Sequence, residues 1–386
     1  MKVLFLSSWY PTRINPFNGD FIERHALAVS GICNTAVLHV QSDSIRGPVF
    51  EIVERKHEML EIIIYFKRCN SRIILFARLM NLIRYVRGYI IGFRILRKKF
   101  GKADIIHANI IYPAAIVAWL YSKFSGLPYI ISEHWTLYLS EGNRNIPALW
   151  ITRRAVRRAF AVTPVTFDLE LALRKHGYRS NYFIVPNVVD TGIFKPGQAP
   201  VPSERIKLLH VSSMKEEQKN IMGILRTIKR LSEIRGDFMI TFIGSAQEHQ
   251  KALARKLEIP ERMIVFIEEM THAEVAANMQ QSHVLVMFSR TENLPCVILE
   301  ALSCGLPVIS SDVGGIRDWI GGNTGILVES ENEDRLLLGL IFMLNNYSKY
   351  DRDYLHQYAI QNFSMEIIAG RFYRIYEKAL KPAGDV

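Results

Sequence analysis

The sequence has 386 residues, 49% hydrophobic and 22% charged, with 23 Gly, 15 Pro and 4 Cys. At roughly 150 residues per domain that is enough for two or three self-sufficient cores, which excludes intrinsic disorder and a disulfide-stapled scaffold. The formal net charge of +11 is uneven, with 27 Lys and Arg against 13 Asp and Glu in residues 1–195 and 21 against 24 in the remainder.

The opening MKVLFLSSWYP carries one lysine and a four-residue apolar run, so a signal peptide is not expected. KVLFLSS predicts a strand, and FIERHALAVSG predicts a helix with Phe21, His25, Leu27 and Ala28 on one face and a stop at Gly31. TAVLHV, EIIIYF, ADIIHA, PYIISEH and NYFIVPN are further predicted strands, with long helical patterns from Ile73 to Phe100 and from Pro113 to Phe124. The apolar windows, such as Ala114 to Tyr121, fall short of the roughly 20 residues of a membrane span. After VPNVVDTGIFKPGQAPVPSERIKLL, where Pro196, Gly197, Pro200 and Pro202 read as a linker, the alternation restarts. KLLHVSS, FMITFIGS, MIVFIE, HVLVMFS, PVISSD and GILV are its strands, with ILRTIKRLSEI among the helices between them. NFSMEIIAGRFYRIYEKAL closes the chain as a helix capped by Ser364. Strands separated by helices imply parallel sheets, and two such runs imply two Rossmann-like α/β domains joined near residue 195.

Residues 62–103 contain no acid and carry Lys67, Arg68, Arg72, Arg78, Arg84, Arg87, Arg94, Arg97, Lys98, Lys99 and Lys102. ITRRAVRRAF adds Arg153, Arg154, Arg157 and Arg158. Nucleic acid, an anionic membrane surface or a polyanionic substrate would each suit this charge, and a solvated helix face is the plain alternative. Ile73, Phe76, Ala77, Met80, Ile83 and Tyr85 alternate with the arginines, which favours a membrane surface over nucleic acid. The four cysteines lack C-x-x-C spacing, so a reduced, cytoplasmic setting is expected, peripheral on the membrane where these helices touch it.

The densest stretch for chemistry is SRTENLPCVILEALSCGLPVISSDVGG, Ser289 to Gly315. A strand ends, a polar turn follows, and a helix opens at Pro295 and closes at Gly305. Ligands of open parallel sheets bind beyond the carboxyl ends of the strands, where the next helix offers unpaired N–H groups to an anion. The turn at Asn293, Leu294 and Pro295 is thus placed to hold a phosphate, with Glu292 in the turn. Glu300 is expected about two turns further on, where its carboxylate can accept two hydrogen bonds from a diol such as a ribose. Gly314 and Gly315 form another tight turn, either plain or a backbone approach to ligand.

This string resembles the signature of the retaining glycosyltransferases of family 4, E-G-x-P-x-x-x-x-E-A-x-A-x-G-x-P-V-x-x-x-x-x-G-G. The resemblance spans nearly the whole chain and includes SWYPTRINPFNGDFIERHALAV, ADIIHA, YIISEHW, VPNVVDTGIFKP, HVSSMKEEQKN and the closing FSMEIIAGRFYRIYEKAL. It implies a GT-B architecture, two Rossmann-like doubly wound domains facing a cleft: residues 1–195 on the acceptor side, 196–361 binding a nucleotide-sugar, and 362–386 as a helix crossing back to the first domain. Residue by residue, the resemblance implies that Lys219 meets the donor's diphosphate, Glu300 holds the ribose hydroxyls and Glu292 faces the donor sugar near its reacting carbon. It implies His134 near the transferred sugar, Gly19 at the donor phosphate, and Glu268 to Met270 along the base. Ser213 stands where the family carries a phosphate-binding arginine, with Lys215 or Arg290 as the candidate to take over. Asn293 replaces a glycine and tolerates φ > 0, and the family's glycine-rich loop is reduced to Gly244-Ser245-Ala246.

The expected activity is transfer of a sugar from a nucleotide-sugar to a saccharide or lipid-linked acceptor with retention, in cell-surface polysaccharide or glycolipid synthesis. No metal or cofactor is expected, because Lys219 and helix N-terminal amides would take the leaving group's charge and no Asp-x-Asp occurs. A nucleotide-sugar epimerase on the same architecture is the alternative, followed by a basic nucleic-acid-binding protein.

Overall fold

A computed structural model describes residues 1–44, 47–139, 149–198, 205–245 and 248–381; Pro200 and Pro202 of the linker and Ala246 of the shortened loop lie outside them. Contacts divide the chain into two units, the first formed by Met1–Val165, Glu170–Val188 and Ile368–Val386, the second by Thr166–Leu169 and Val189–Ile367.

The first unit is a seven-stranded sheet made of β1 (Lys2–Ser7), β2 (Asn34–Asp43), β3 (Phe50–Lys56), β4 (Leu60–Lys67), β5 (Ile105–Asn109), β6 (Tyr129–Glu133) and β7 (Ala161–Pro164), in the order β3-β4-β2-β1-β5-β6-β7. Every pairing is parallel except β3 with β4, an antiparallel edge hairpin that places Phe50 opposite Phe66. The central strands are largely apolar, and β5 is buried throughout, His107 and Asn109 included, because helices cover both faces of such a sheet. The sequence pattern misses β3, since FEIVERK alternates apolar and charged residues at an exposed edge, where charge guards against further strand addition. It also misses the four-residue β7.

NYFIVPN, expected as a strand, is not one. It makes a single bridge, Tyr182 with Val162 of β7. The Val162 N–H donates to the Asn181 carbonyl, and the Phe183 and Val185 N–H groups donate to the Val162 and Pro164 carbonyls, but Pro164 has no N–H to return a bond to Phe183, so the pairing stays a single bridge.

Helix Asp20–Ser30 connects β1 to β2, and helix Ile74–Lys99 connects β4 to β5. Gly88 and Gly92 let the latter lie close on the sheet, for a Cβ would sit 2.7 Å from Val40 at the first and 2.4 Å from Leu38 at the second. Its other neighbour is helix Ile116–Ser125, through stacking of Phe93 on Tyr121 at 3.8 Å. The later part of helix Met365–Leu380 packs within the first unit. Phe372 meets His25 and His107 edge-on, and the Tyr376 hydroxyl lies 2.7 Å from His107 Nδ1. At the helix start the Ser364 hydroxyl accepts from the Ile367 N–H, as expected of a cap.

The second unit is a six-stranded parallel sheet of β8 (Ile206–Val211), β9 (Phe238–Ile243), β10 (Ile264–Ile267), β11 (Val284–Met287), β12 (Val308–Ser311) and β13 (Gly325–Val328), ordered β10-β9-β8-β11-β12-β13. The direction of winding reverses between β8 and β11. The loops that leave the carboxyl ends of these two strands therefore flank the natural ligand crevice of this sheet.

Candidate active site

Those two loops carry the signature residues of the second unit. After β8 the chain turns through Ser212, Ser213 and Met214 into the short helix Glu216–Lys219. His210 and Ser212 build this turn. His210 Nδ1 lies 2.8 Å from the Val286 carbonyl and Nε2 2.8 Å from Ser212 Oγ, which accepts from the Met214 N–H. Burial pushes the His210 imidazole down to about 4, so it is neutral at pH 7 and one ring nitrogen donates while the other accepts. Met214 then takes a left-handed φ of 57° and directs the chain towards Lys219.

After β11 the segment Ser289–Pro295 leads into helix Cys296–Ser303. Lys219 Nζ pairs with Glu292 Oε1, whose oxygen also accepts from Ser289 Oγ at 2.7 Å. Both partners are largely shielded, the side chains being 12% and 6% exposed. Glu300 is also buried, but as the fifth residue of its helix it lies about one turn from the helix start, not two. Asn293 and Leu294 are buried at the same turn.

Asn293 is absent from the left-handed residues of the described chain, so its tolerance of φ > 0 is not used. Its role is instead to bind. Its side-chain oxygen accepts from Thr166 Oγ1 at 2.6 Å, and its carbonyl accepts from the Gly315 N–H. The Gly314-Gly315 turn is a close approach of backbone to backbone: a Cβ on Gly314 would stand 2.1 Å from the Glu292 carbonyl oxygen. The same holds for Gly244, where a Cβ would stand 2.0 Å from the Ser212 carbonyl oxygen.

Of the two candidates for the missing arginine, Arg290 is already spent. Its Nε donates to Glu331 at 2.8 Å, one terminal nitrogen donates to the Glu216 carbonyl and another to Asn220 Oδ1 at 2.7 Å, and its backbone N–H donates to the Gln218 carbonyl. It clamps the loop that carries Lys219. Lys215, at the start of the short helix, is exposed, as is Ser213. Glu268 is exposed and Met270 half-buried beyond the end of β10, apart from the Lys219–Glu292 pair in sequence.

In the first unit, Gly19 and His134 share one aromatic cluster at the carboxyl ends of β1 and β6. Gly19 caps helix Asp20–Ser30 with φ 77°, and a Cβ there would stand 2.6 Å from the Trp9 carbonyl carbon. Trp9 meets Trp135 and Phe21 edge-on, and the Phe21 ring lies 4.6 Å from His134. His134 Nδ1 is 3.1 Å from Asn187 Oδ1, and burial beside His25 holds its pKa well below the usual value, which keeps the imidazole neutral. Glu133 accepts from the N–H groups of Ile111, His134 and Trp135 at 2.7–2.8 Å. Burial nevertheless pushes its carboxyl up to about 7.

Among the described residues, no three His, Cys, Asp or Glu side chains gather to hold a metal ion, and no helix is long and apolar enough to cross a membrane. Sequence reasoning missed His210, Ser212, Asn220 and the clamping role of Arg290. Only the position of His210 at the end of a predicted strand hinted at any of them.

Comparison with known proteins gives the same answer from both halves. The family described as Glycosyltransferase Family 4 matches residues 55–192, and the family Glycosyl transferases group 1 matches residues 194–362. N-acetyl-alpha-D-glucosaminyl L-malate synthase of Bacillus anthracis is 26% identical over 242 residues, covering 58% of this chain and 61% of its own length; another curated relative is spanned over only 44%. Sucrose-phosphate synthase from Thermosynechococcus elongatus superposes with a TM-score of 0.76 at 16% identity, over 98% of this chain and 99% of its own. Anabaena Alr3699/HepE in complex with UDP-glucose superposes with a TM-score of 0.71 at 15% identity, over 98% of this chain and 100% of its own. With two consecutive family matches and the signature folded around a parallel-sheet crevice, the chain belongs to the family-4 glycosyltransferases of GT-B fold.

Proposed function

We propose that this glycosyltransferase moves a sugar from a nucleotide-sugar to a saccharide or lipid-linked acceptor with retention of configuration, in cell-surface polysaccharide or glycolipid synthesis on the cytoplasmic side of a membrane. The observation that carries the reading is the shielded Lys219–Glu292 pair beside the start of helix Cys296–Ser303, at the winding reversal of the second sheet. A diphosphate entering there meets an ammonium group and helix N-terminal amides, and competes with Glu292 for Lys219.

In this reading the anomeric C–O bond to the diphosphate breaks as the acceptor hydroxyl bonds to the anomeric carbon from the vacated face, and the acceptor's proton leaves with the nucleoside diphosphate. Lys219 and the amides take the growing negative charge, so no metal is needed. Glu292 is assigned to donor-sugar hydroxyls, Glu300 to the ribose, Gly19 to close passage of the donor phosphate, and the segment from Glu268 to Met270 to the base. Ser213, Lys215, Gly244, Asn293 and Leu294 line the donor. In the first unit, His134 is assigned to a hydroxyl of the transferred sugar. The complex of Anabaena Alr3699/HepE with UDP-glucose makes UDP-glucose the first donor to try.

The test is a panel of UDP-, GDP- and ADP-sugars, each offered with and without a saccharide or prenyl-phosphate-linked acceptor, following nucleoside diphosphate release. Acceptor-dependent release supports transfer. Release of an altered free sugar without acceptor supports an epimerase instead, and no reaction with any donor would sink both.

A further inference from the structure

In the first unit, helix Ile74–Lys99 buries Gly88, Tyr89, Gly92 and Leu96 towards the sheet. The opposite side is apolar and open. Leu75, Leu79, Leu82, Val86 and Ile90 are 46–78% exposed. Their spacing of four, three, four and four residues puts them in one stripe along the helix. Ile73 and Ile74 extend the apolar surface around the helix start, each about two-thirds exposed. Soluble surfaces scatter single apolar residues, whereas a contiguous stripe marks an interaction site.

Charge identifies the partner. No acid occurs between residues 62 and 103. Arg72, Arg78, Arg87, Arg94, Arg97 and Lys98 stand among or beside the stripe, and none has an ion pair among the described residues. A second copy of the chain would set these cations against one another. A nucleic acid would satisfy them but would press its phosphates on exposed leucines. An anionic bilayer offers both phosphates and an apolar layer beneath them.

The neighbouring helices continue the pattern. Helix Ile116–Ser125 joins through the Phe93–Tyr121 stack and exposes Phe124, and Trp119 carries Lys123 and Arg154 over its ring. Helix Leu149–Arg158 exposes Trp150, and its Arg153, Arg154 and Arg157 line a cavity of about 450 Å3 with Gly177 and Arg179. The Arg153 guanidinium is fixed there by the His176 carbonyl, 3.0 Å from Nε. None of these four arginines has a carboxylate partner among the described residues.

We propose that this face docks on an anionic bilayer, with the Leu75–Leu79–Leu82 stripe entering the headgroup region and the Arg153–Arg157 cavity seating a lipid phosphate. The inference rests on reading the first unit as the acceptor side, but its test uses neither donor nor acceptor, so its failure would leave sugar transfer standing. The full chain is floated with vesicles of phosphatidylcholine alone and of phosphatidylcholine mixed with phosphatidylglycerol.

The expected result is binding to the mixed vesicles only, weakened by salt. Binding is expected to fall about tenfold or more in the triple variant Leu75→Ser, Leu79→Ser, Leu82→Ser and in the double variant Arg154→Glu, Arg157→Glu. All five residues are exposed, so an unchanged thermal midpoint verifies folding of each variant. Equal binding to neutral vesicles, no binding at all, or binding unaffected by either variant would overturn the proposal. So would a concentration-dependent dimer that the leucine variant abolishes, which would assign the stripe to a second copy.

Discussion

Lys219 and Glu292 form a shielded ion pair across two loops, 73 residues apart in sequence. Breaking it from either side has unequal consequences. Lys219→Met strands a carboxylate that is 6% exposed and is expected to cost about 3–5 kcal/mol of stability. Glu292→Gln keeps the Ser289 contact and releases Lys219 for phosphate. UDP binding is therefore expected to weaken in the first variant and to hold or tighten in the second, while both lose turnover. Chemical denaturation and calorimetric titration check the two halves, and parallel losses of UDP affinity would contradict the arrangement.

Arg290 is a positioning residue. Its fork joins Glu331, Glu216 and Asn220, so Arg290→Lys removes the planar geometry while keeping the charge. The Lys219 loop then loosens, and donor KM is expected to rise about tenfold, from the loss of about one to two hydrogen bonds, with a smaller change in kcat. A fall in kcat alone would instead place Arg290 on the reacting groups.

Gly314 and Gly322 make a controlled comparison. Both have left-handed backbone, φ 56° and 54°, but a Cβ at Gly314 meets the Glu292 carbonyl at 2.1 Å while one at Gly322 meets nothing within 4 Å. Gly322→Ala is expected to cost about 1 kcal/mol from backbone alone. Gly314→Ala is expected to cost about 2–4 kcal/mol and to disturb donor binding, because the turn bearing Glu292 must shift. Equal thermal midpoints for the two variants would refute the close approach.

Acid sensitivity follows from buried histidines. Burial lowers His25 and His210 to about 4 and also lowers His39, His107 and His134. Between about 4 and 6.5 the unfolded chain binds protons at these sites that the native protein refuses, so stability rises with pH across that window. Glu133 acts in the opposite sense. Raised from 4.5 to about 7, it holds a proton that the unfolded chain has lost, and stability declines by about 3 kcal/mol as pH climbs between those values. The five histidines outweigh the one carboxyl, and thermal midpoints are expected to rise from pH 4 to 6.5; a falling profile would contradict the burial of these rings.

The sheets were readable because their central strands are short, largely apolar runs. The edge was not: β3 hides in an alternating charged pattern, and NYFIVPN has the right composition but meets a proline on its partner strand. The Glu292 and Lys219 loops were found through their motifs, yet their pairing was not, because nothing local links residues 73 positions apart. The conformation of the Lys219 loop depends on a neutral His210 and on the Arg290 fork, both of which read in sequence as isolated polar residues. The basic stretch was legible as charge, but the exposure of its leucines required the sheet that they turn away from.

In the proposed site the second unit holds a nucleotide-sugar through Lys219 and the Glu300 carboxylate. Calorimetric titration of UDP, GDP and ADP into the full chain and into Glu300→Ala measures this binding. At least one nucleotide is expected to bind, with an affinity that falls about tenfold or more in the variant, as loss of a carboxylate's bonds to a ribose diol requires. Binding of none of the three, or equal affinity in the variant, would contradict it.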